Sequence, residues 1–218
     1  MRTRSALDHS YAEISDNLLR LTSMVDRALV DAMKALIDRD GKLAQNVSQG
    51  DSALNDLRYS IEESCYTLLA TQAPTATDLR NVMGAVSVAT NLERIGDHAA
   101  GIARLTLRMV DQSLLRPLVD IPQMAELVRA MIKDAVRAFL EHSPELAENV
   151  VQRDNDVDAL QTSVYDTLIS FMTHDPSTVK RATYLLWVSH NLERSGDRAT
   201  NICERAIYAT TGVLKELH

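Results

Sequence analysis

Apolar residues along this chain recur at steps of three and four, the spacing that gathers them on one face of a helix. The first such stripe runs from about Ala6 to Asp40 through Leu18, Leu21, Val25, Leu29, Ala32 and Leu36, and Gly41 ends it. A second continues to about Gln72 through Leu54, Leu57, Ile61, Tyr66 and Leu69 before Pro74 breaks the chain. A third carries Leu79, Val82, Val86, Ala89, Leu92, Ala99 and Ile102 to about Val110. Asp111 to Pro122, with Pro117 and Pro122, reads as a linker. The plan then recurs: a fourth helix over about Gln123 to His142, a fifth opened by Ser143-Pro144 and ending near His174, and a sixth opened by Asp175-Pro176. Proline at the first helical position after a capping residue is a helix start. With only 7 Gly and 5 Pro in 218 residues, and no stretch where apolar and polar residues alternate, the fold class is all-α.

The recurrence extends to the letters. Asn91 opens NLERIGD and Asn191 opens NLERSGD, in the same frame. GDSALNDLRYSIEE from Gly50 resembles RDNDVDALQTSVYD from Arg153, with Asp51 matching Asp154. The expected architecture is two repeated antiparallel three-helix bundles made of six long helices. Their expected bounds are residues 1–112 and 122–218, joined by a linker at 113–121.

Charge narrows the partners. The formal net charge is -7, and an acidic surface repels phosphate backbones and anionic headgroups, so no nucleic-acid partner is expected. No run of about 18 apolar residues exists, which argues against membrane insertion. Cys65 and Cys203 have neither disulfide-framework nor zinc-thiolate spacing. The opening segment MRTRSALDHSYAEISDN has no apolar stretch behind its arginines, so a cytoplasmic protein is expected.

The repeated motif places two carboxylates four residues apart, on one helix face: Glu93 with Asp97, and Glu193 with Asp197. Set on a wheel with Leu185 at the centre of the stripe, Glu193 and Asp197 fall on its shoulder, beside a neighbouring helix. Arg94, Arg194, Arg198 and Arg205 point away. An antiparallel hairpin sets residues equidistant from its turn at one height. Asn55 and Glu93 each lie 19 residues from Pro74, and Asp51 and Asp97 each lie 23 away. Around Pro176 the same count pairs Asp158 with Glu193 and Asp154 with Asp197. A longer count, through Gly41 and Pro144, brings Asp31 and Asp134 to nearly the same level, and His190 lies three residues before Glu193. Each like-charge pair at about 4 Å costs about 4 kcal/mol at an effective dielectric near 20. Arginines, shared protons or oxygen-ligated cations must therefore neutralise the cluster, and the wheel favours cations. The competing reading is surface acids paired with nearby Lys or Arg.

Other chemistry is sparse. No nucleophile–base pair, P-loop or dinucleotide fingerprint occurs, so no catalysis is expected. A carboxylate-bridged di-metal enzyme or metal store would need Glu-x-x-His pairs, and the chain has none. A metal-free helical scaffold remains the other alternative. Gly96 and Gly196 sit mid-helix, where close helix packing is their expected role.

The stretch QAPTATDLRNVMGAVSVATNLERIGDHA, together with NLERSGDRATNICERAIY and the two Asp-rich helix starts, resembles the PhoU family of phosphate-signalling regulators. The resemblance implies a cytosolic protein, often a homodimer, that couples a phosphate ABC transporter to a sensor histidine kinase as a negative regulator. It also implies clusters of iron or zinc on an acidic signature in each repeat. Glu93, Asp97, Glu193 and Asp197 match that signature, and Asp51, Asp154 and Asp158 match the facing acids. Asn55 departs from a full carboxylate set, because an amide oxygen brings no charge.

Overall fold

A computed structural model describes residues 2–115, 120–214 and 216, except for the side chains of residues 2–6 and Asp51. The expected linker is therefore described only at its ends, and Pro117 lies outside the described residues. Six long helices are present as expected: α1 Arg2–Asp38, α3 Asp51–Gln72, α4 Ala76–Leu107, α5 Asp120–Leu140, α7 Asp154–His174 and α8 Val179–Thr211. Two short ones, α2 Gly41–Gln49 and α6 Pro144–Gln152, stand between them. No strand occurs among the described residues.

The short helices correct the sequence reading, which ran each into the long helix that follows it. Their starts follow from capping. At the first, the Leu43 N–H donates to Asp40 Oδ1 at 2.9 Å. At the second, the Leu146 N–H donates to Ser143 Oγ at 3.2 Å, with Pro144 in the first turn. Each is preceded by a residue at positive φ, Arg39 at 55° and His142 at 52°, which closes the turn from the long helix before it. Each ends at a residue still close to helical, Gly50 and Arg153, so the apolar pattern runs through the break without showing it. Pro122, expected in the linker, lies in the first turn of α5, where its missing N–H costs no hydrogen bond.

The most extensive contact in the molecule is between α4 and α8, the third long helix of each half, and α1 also meets α5. α2 and α3 lie over α1 and α4, while α6 and α7 lie over α5 and α8. Leu18, Leu21, Val25, Leu29, Leu92, Ile102, Val128, Phe139, Leu185 and Leu192 are fully buried in one apolar cluster that spans both halves. Tyr66 and Leu79, read from the sequence as stripe residues, are exposed instead, and Cys65 and Leu68 take the core positions on α3. Across the halves, Asp26 of α1 accepts from Arg129 of α5 at 2.7 and 3.2 Å and lies 2.9 Å from Lys133 Nζ.

Candidate functional site

In the second half the N-terminus of α7 lies against the middle of α8. Two small features allow it. Arg153 ends α6 in a helical conformation, so Asp154 starts α7 with its side chain toward α8. Gly196 then presents bare backbone: a Cβ there would stand 3.0 Å from Asp154 Oδ1 and 3.7 Å from Val157 Cγ1. Asp154 is half-buried against α8, while Asp158 and Asp197 reach solvent.

The four acids feel one another. Burial pushes the Asp154 carboxyl up to about 6, and the charges of Asp158, Asp197 and Glu193 push in the same direction. Glu193 is raised by burial and then by Asp197, against the opposing pull of His190. Asp197 is raised by burial and by Asp158, against Arg198 and Arg194. The charges of Asp158, Glu193 and Asp197, which the hairpin count set at the level of Asp154, are thus near enough to be felt there. His190 joins them, with Nδ1 3.1 Å from Glu193 Oε2, an oxygen sealed from solvent. Among the described residues, no ion pair within 4 Å reaches Asp154, Asp158 or Asp197. Nor do three His, Cys, Asp or Glu groups among those residues stand ready around one metal position. Ligation here would require side-chain rotation.

The first half resolves the same motif differently. Glu93 is buried at 8% exposure, and Arg94 does not point away as the wheel predicted. Its Nη1 donates to Asp97 Oδ2 at 3.0 Å, and its Nε stands 3.5 Å from Glu93 Oε2. A helical wheel shows where a side chain starts; the long arginine folds back along its own helix to reach both acids. Arg194, at the matching position, is exposed as expected, whereas Arg198 and Arg205 are half-buried. Asn55 is half-buried on α3, and the Asp51 side chain lies outside the described residues. A Cβ on Gly96 would stand 2.5 Å from Leu54 Cδ1, so close packing of α3 on α4 accounts for this glycine.

Asp31 and Asp134 part company. Asp31 lines a cavity of about 260 Å³ with Gly50, Leu54 and Gly96, and sits 3.8 Å from Arg27 Nε. Asp134 is taken by arginines, accepting from Arg153 Nη2 at 2.7 Å, with Arg137 Nη2 3.4 Å away. Arg153 is a feature the sequence reading missed, although Gly50 and Arg153 already stood opposite each other in the two repeat strings. Cys65 and Cys203 are buried free thiols, and burial pushes each up to about 12, so both stay protonated and unreactive at ordinary pH.

Between the halves, His98 of α4 is buried against α8. Ser195 Oγ donates to Asn191 O at 2.7 Å, which leaves that oxygen to accept from His98 Nδ1 at 3.3 Å. Burial, followed by Arg194 and Arg198, pushes the imidazole down to about 4, so it is neutral at ordinary pH.

Known proteins resemble this chain in sequence and fold. A family model described as the PhoU domain matches twice, at residues 18–106 and 121–206. The phosphate-specific transport system accessory protein PhoU homolog of Clostridium acetobutylicum is 36% identical over 217 residues, 99% of each chain. The homolog of that name from Rhizobium meliloti is 32% identical over 209 residues, 95% of this chain and 88% of its own. The crystal structure of the phosphate transport system regulatory protein PhoU from Streptococcus pneumoniae superposes with a TM-score of 0.90 at 32% identity, covering 97% of this chain and 100% of that one. PhoU from Pseudomonas aeruginosa gives 0.89 at 32%, covering 94% and 99%.

Proposed function

The chain belongs to the PhoU family, and from that premise we propose that it is a non-enzymatic regulator of phosphate uptake and phosphate-starvation signalling. It acts in the cytoplasm, as a homodimer, between a phosphate ABC transporter and a sensor histidine kinase, and holds the starvation response off when phosphate is plentiful. The observation that carries the proposal is the likeness over nearly the whole chain, in sequence and in fold, to proteins named for regulating or assisting phosphate transport. The acidic composition, and the lack among the described residues of a helix long and apolar enough to cross a membrane, fit a protein that works through protein contacts.

Metal enters at the second acidic cluster. Iron or zinc, the ions the family resemblance implies, fits the donor chemistry there: three carboxylates with raised pKa, a fourth beside them, and a sealed Glu193 oxygen next to His190. Asp154, Asp158, Glu193, Asp197 and His190 would hold it, and a bound cation would supply the positive charge that lets the acids ionise together. In the first half Arg94 already supplies such a charge to Glu93 and Asp97, so that half competes poorly for the ion.

The test is a phosphate-starvation reporter in a strain lacking the gene. Wild type should restore repression under plentiful phosphate, and failure to do so sinks the regulatory reading. The double variants Glu93→Ala/Asp97→Ala and Glu193→Ala/Asp197→Ala go into the same strain, alongside elemental analysis of protein purified without chelator. The second variant should lose both metal and repression; lost metal with repression intact would separate the ion from the signalling.

A further inference from the structure

Next to the acidic cluster, and facing outward, α7 and α8 leave a groove of 480 Å³ lined by Gln161, Tyr165, Leu186, Trp187 and His190. Two of these residues are unusual as surface groups. Trp187 is 54% exposed and Tyr165 53%, although a large aromatic left in water forgoes the stabilisation that burial would give it. Trp187 stands edge-on to His190 at 5.7 Å, and His190 in turn leans on Glu193. Along α8, Trp187, His190, Glu193 and Asp197 follow at steps of three, three and four, one face of the helix. Along α7, Tyr165 and Gln161 continue the face that begins at Asp158. No carboxylate lines the groove itself, but its His190 edge adjoins Glu193, and the acidic cluster continues along the same helix faces.

The first half shows what such a surface accepts. The repeat strings place Arg58 where the second half has Gln161, and Glu62 where it has Tyr165. Arg58 Nη1 donates to Glu62 Oε2 at 2.8 Å, its guanidinium lies 4.0 Å over the Tyr59 ring, and Tyr66 donates to the same carboxylate at 2.6 Å. There the chain provides its own arginine to an aromatic and an acid. In the second half Gln161, Thr162, Tyr165 and Ile169 stand at those four positions, so no arginine of the chain's own serves the Trp187 and Tyr165 rings or the acids beside them.

We infer that the α7–α8 groove docks an arginine-bearing segment of a partner protein, its guanidinium stacking on Trp187 or Tyr165 within reach of the acidic end. Guanidinium is the group that serves a ring face and a carboxylate together, and it sheds water more readily than an ammonium. Charge complementarity selects against nucleic acid and anionic lipid. One divalent ion bound among four carboxylates would leave the groove's end acidic. The inference draws the partner's role from the adaptor reading above, while the binding itself stands apart from that reading.

Trp187 is the chain's single tryptophan, so its fluorescence reads the groove directly. The full-length protein is titrated with acetyl-Leu-Arg-Leu-Leu-Arg-Leu-amide, and with the same peptide carrying citrulline for arginine. A saturable change with Kd below about 1 mM is expected for the first peptide, weakened about tenfold for the second. Calorimetry on Trp187→Ala and on Gln161→Arg should show the same loss, the latter by placing an arginine of the chain's own among the groove's rings. Equal binding of the citrulline peptide, unchanged affinity in Gln161→Arg, or no saturable response overturns the inference. In the reporter strain, Trp187→Ala should derepress. Repression intact with Trp187→Ala removes the groove from partner binding but leaves the regulator standing, whereas failure of wild type to repress removes the regulator alone.

Discussion

At the residue scale, the acids that the turn counts bring to one level are settled in three ways. Glu93 and Asp97 share Arg94, Asp134 is held by Arg153, and Asp154 with its neighbours carries elevated proton affinity. The last case has a measurable consequence. An unfolded Asp154 ionises near 3.8, whereas in the fold burial and neighbouring charge move this to about 6. The folded state therefore binds the proton more tightly, and stability is withdrawn as pH rises from about 4 to about 6. His98 acts oppositely: its folded pKa of about 4 lies below the ordinary 6.5, so its contribution is lost as pH falls through that window. The two oppose each other in wild type, and only a difference between proteins isolates one of them. Asp154→Asn in metal-free protein should gain about 1–2 kcal/mol over wild type at pH 7.5, with the gain vanishing near pH 4. Urea denaturation at the two pH values measures this. A divalent cation added at pH 7.5 should close the gap by stabilising wild type alone. A gain independent of pH would mean that Asp154 does not carry the proposed strain.

At the element scale, the six long helices and the facing of α7 on α8 were legible because both rest on periodicity and on distance from a turn. The splits at Gly50 and Arg153 were not, because a helical-region residue changes the axis direction while leaving the apolar spacing intact. Arg94 was misread because a wheel assigns directions to Cβ atoms, and a guanidinium reaches well beyond its Cβ. Tyr66 shows the opposite error: its spacing suits the stripe, but its hydroxyl donates to Glu62 at the surface. Among the glycines, contact geometry separates elements that must touch from elements that merely neighbour. A Cβ on Gly84 of α4 would stand 2.6 Å from a ring atom of fully buried Phe139 on α5, and a buried ring has nowhere to go. Gly84→Ala should therefore cost about 1–3 kcal/mol even though alanine favours helix by about 1 kcal/mol. At Gly196 the crowding atom is a carboxylate oxygen on a partly exposed side chain. Gly196→Ala should thus leave the thermal midpoint within a few degrees of wild type while displacing Asp154 and weakening cation binding. Calorimetric midpoints and cation titrations on both variants check the contrast, and a Gly84→Ala protein as stable as wild type would refute the tight seating of the Phe139 ring on Gly84.

At the scale of the whole molecule, two sequence repeats do not imply two independent folding units. The apolar cluster is continuous, since α4 packs along α8 and α1 meets α5, and neither half can bury those faces alone. The polar seam agrees. Asp26 is held below the usual carboxylate range: its burial opposes ionisation, but hydrogen bonds and charge from Arg129 and Lys133, both in the other half, outweigh it. A depressed carboxyl contributes stability above its unfolded pKa and loses it as pH falls through the folded one, so this seam weakens only in acid well below neutrality. A regulator built on one core can pass a disturbance in the second half, such as loss of the proposed cation at α8, to α4, because the two helices share their packing surface. The check is equilibrium unfolding in urea followed by helical circular dichroism, which reports both halves, and by Trp187 fluorescence, which reports the second. The two transitions should coincide, with one midpoint and one slope. Asp26→Asn should move that midpoint down by the equivalent of about 1–2 kcal/mol without splitting the transition, since Arg129 keeps Glu126 at 2.6 Å. If the probes separate, the halves melt independently, and coupling through the α4–α8 face falls with the shared core.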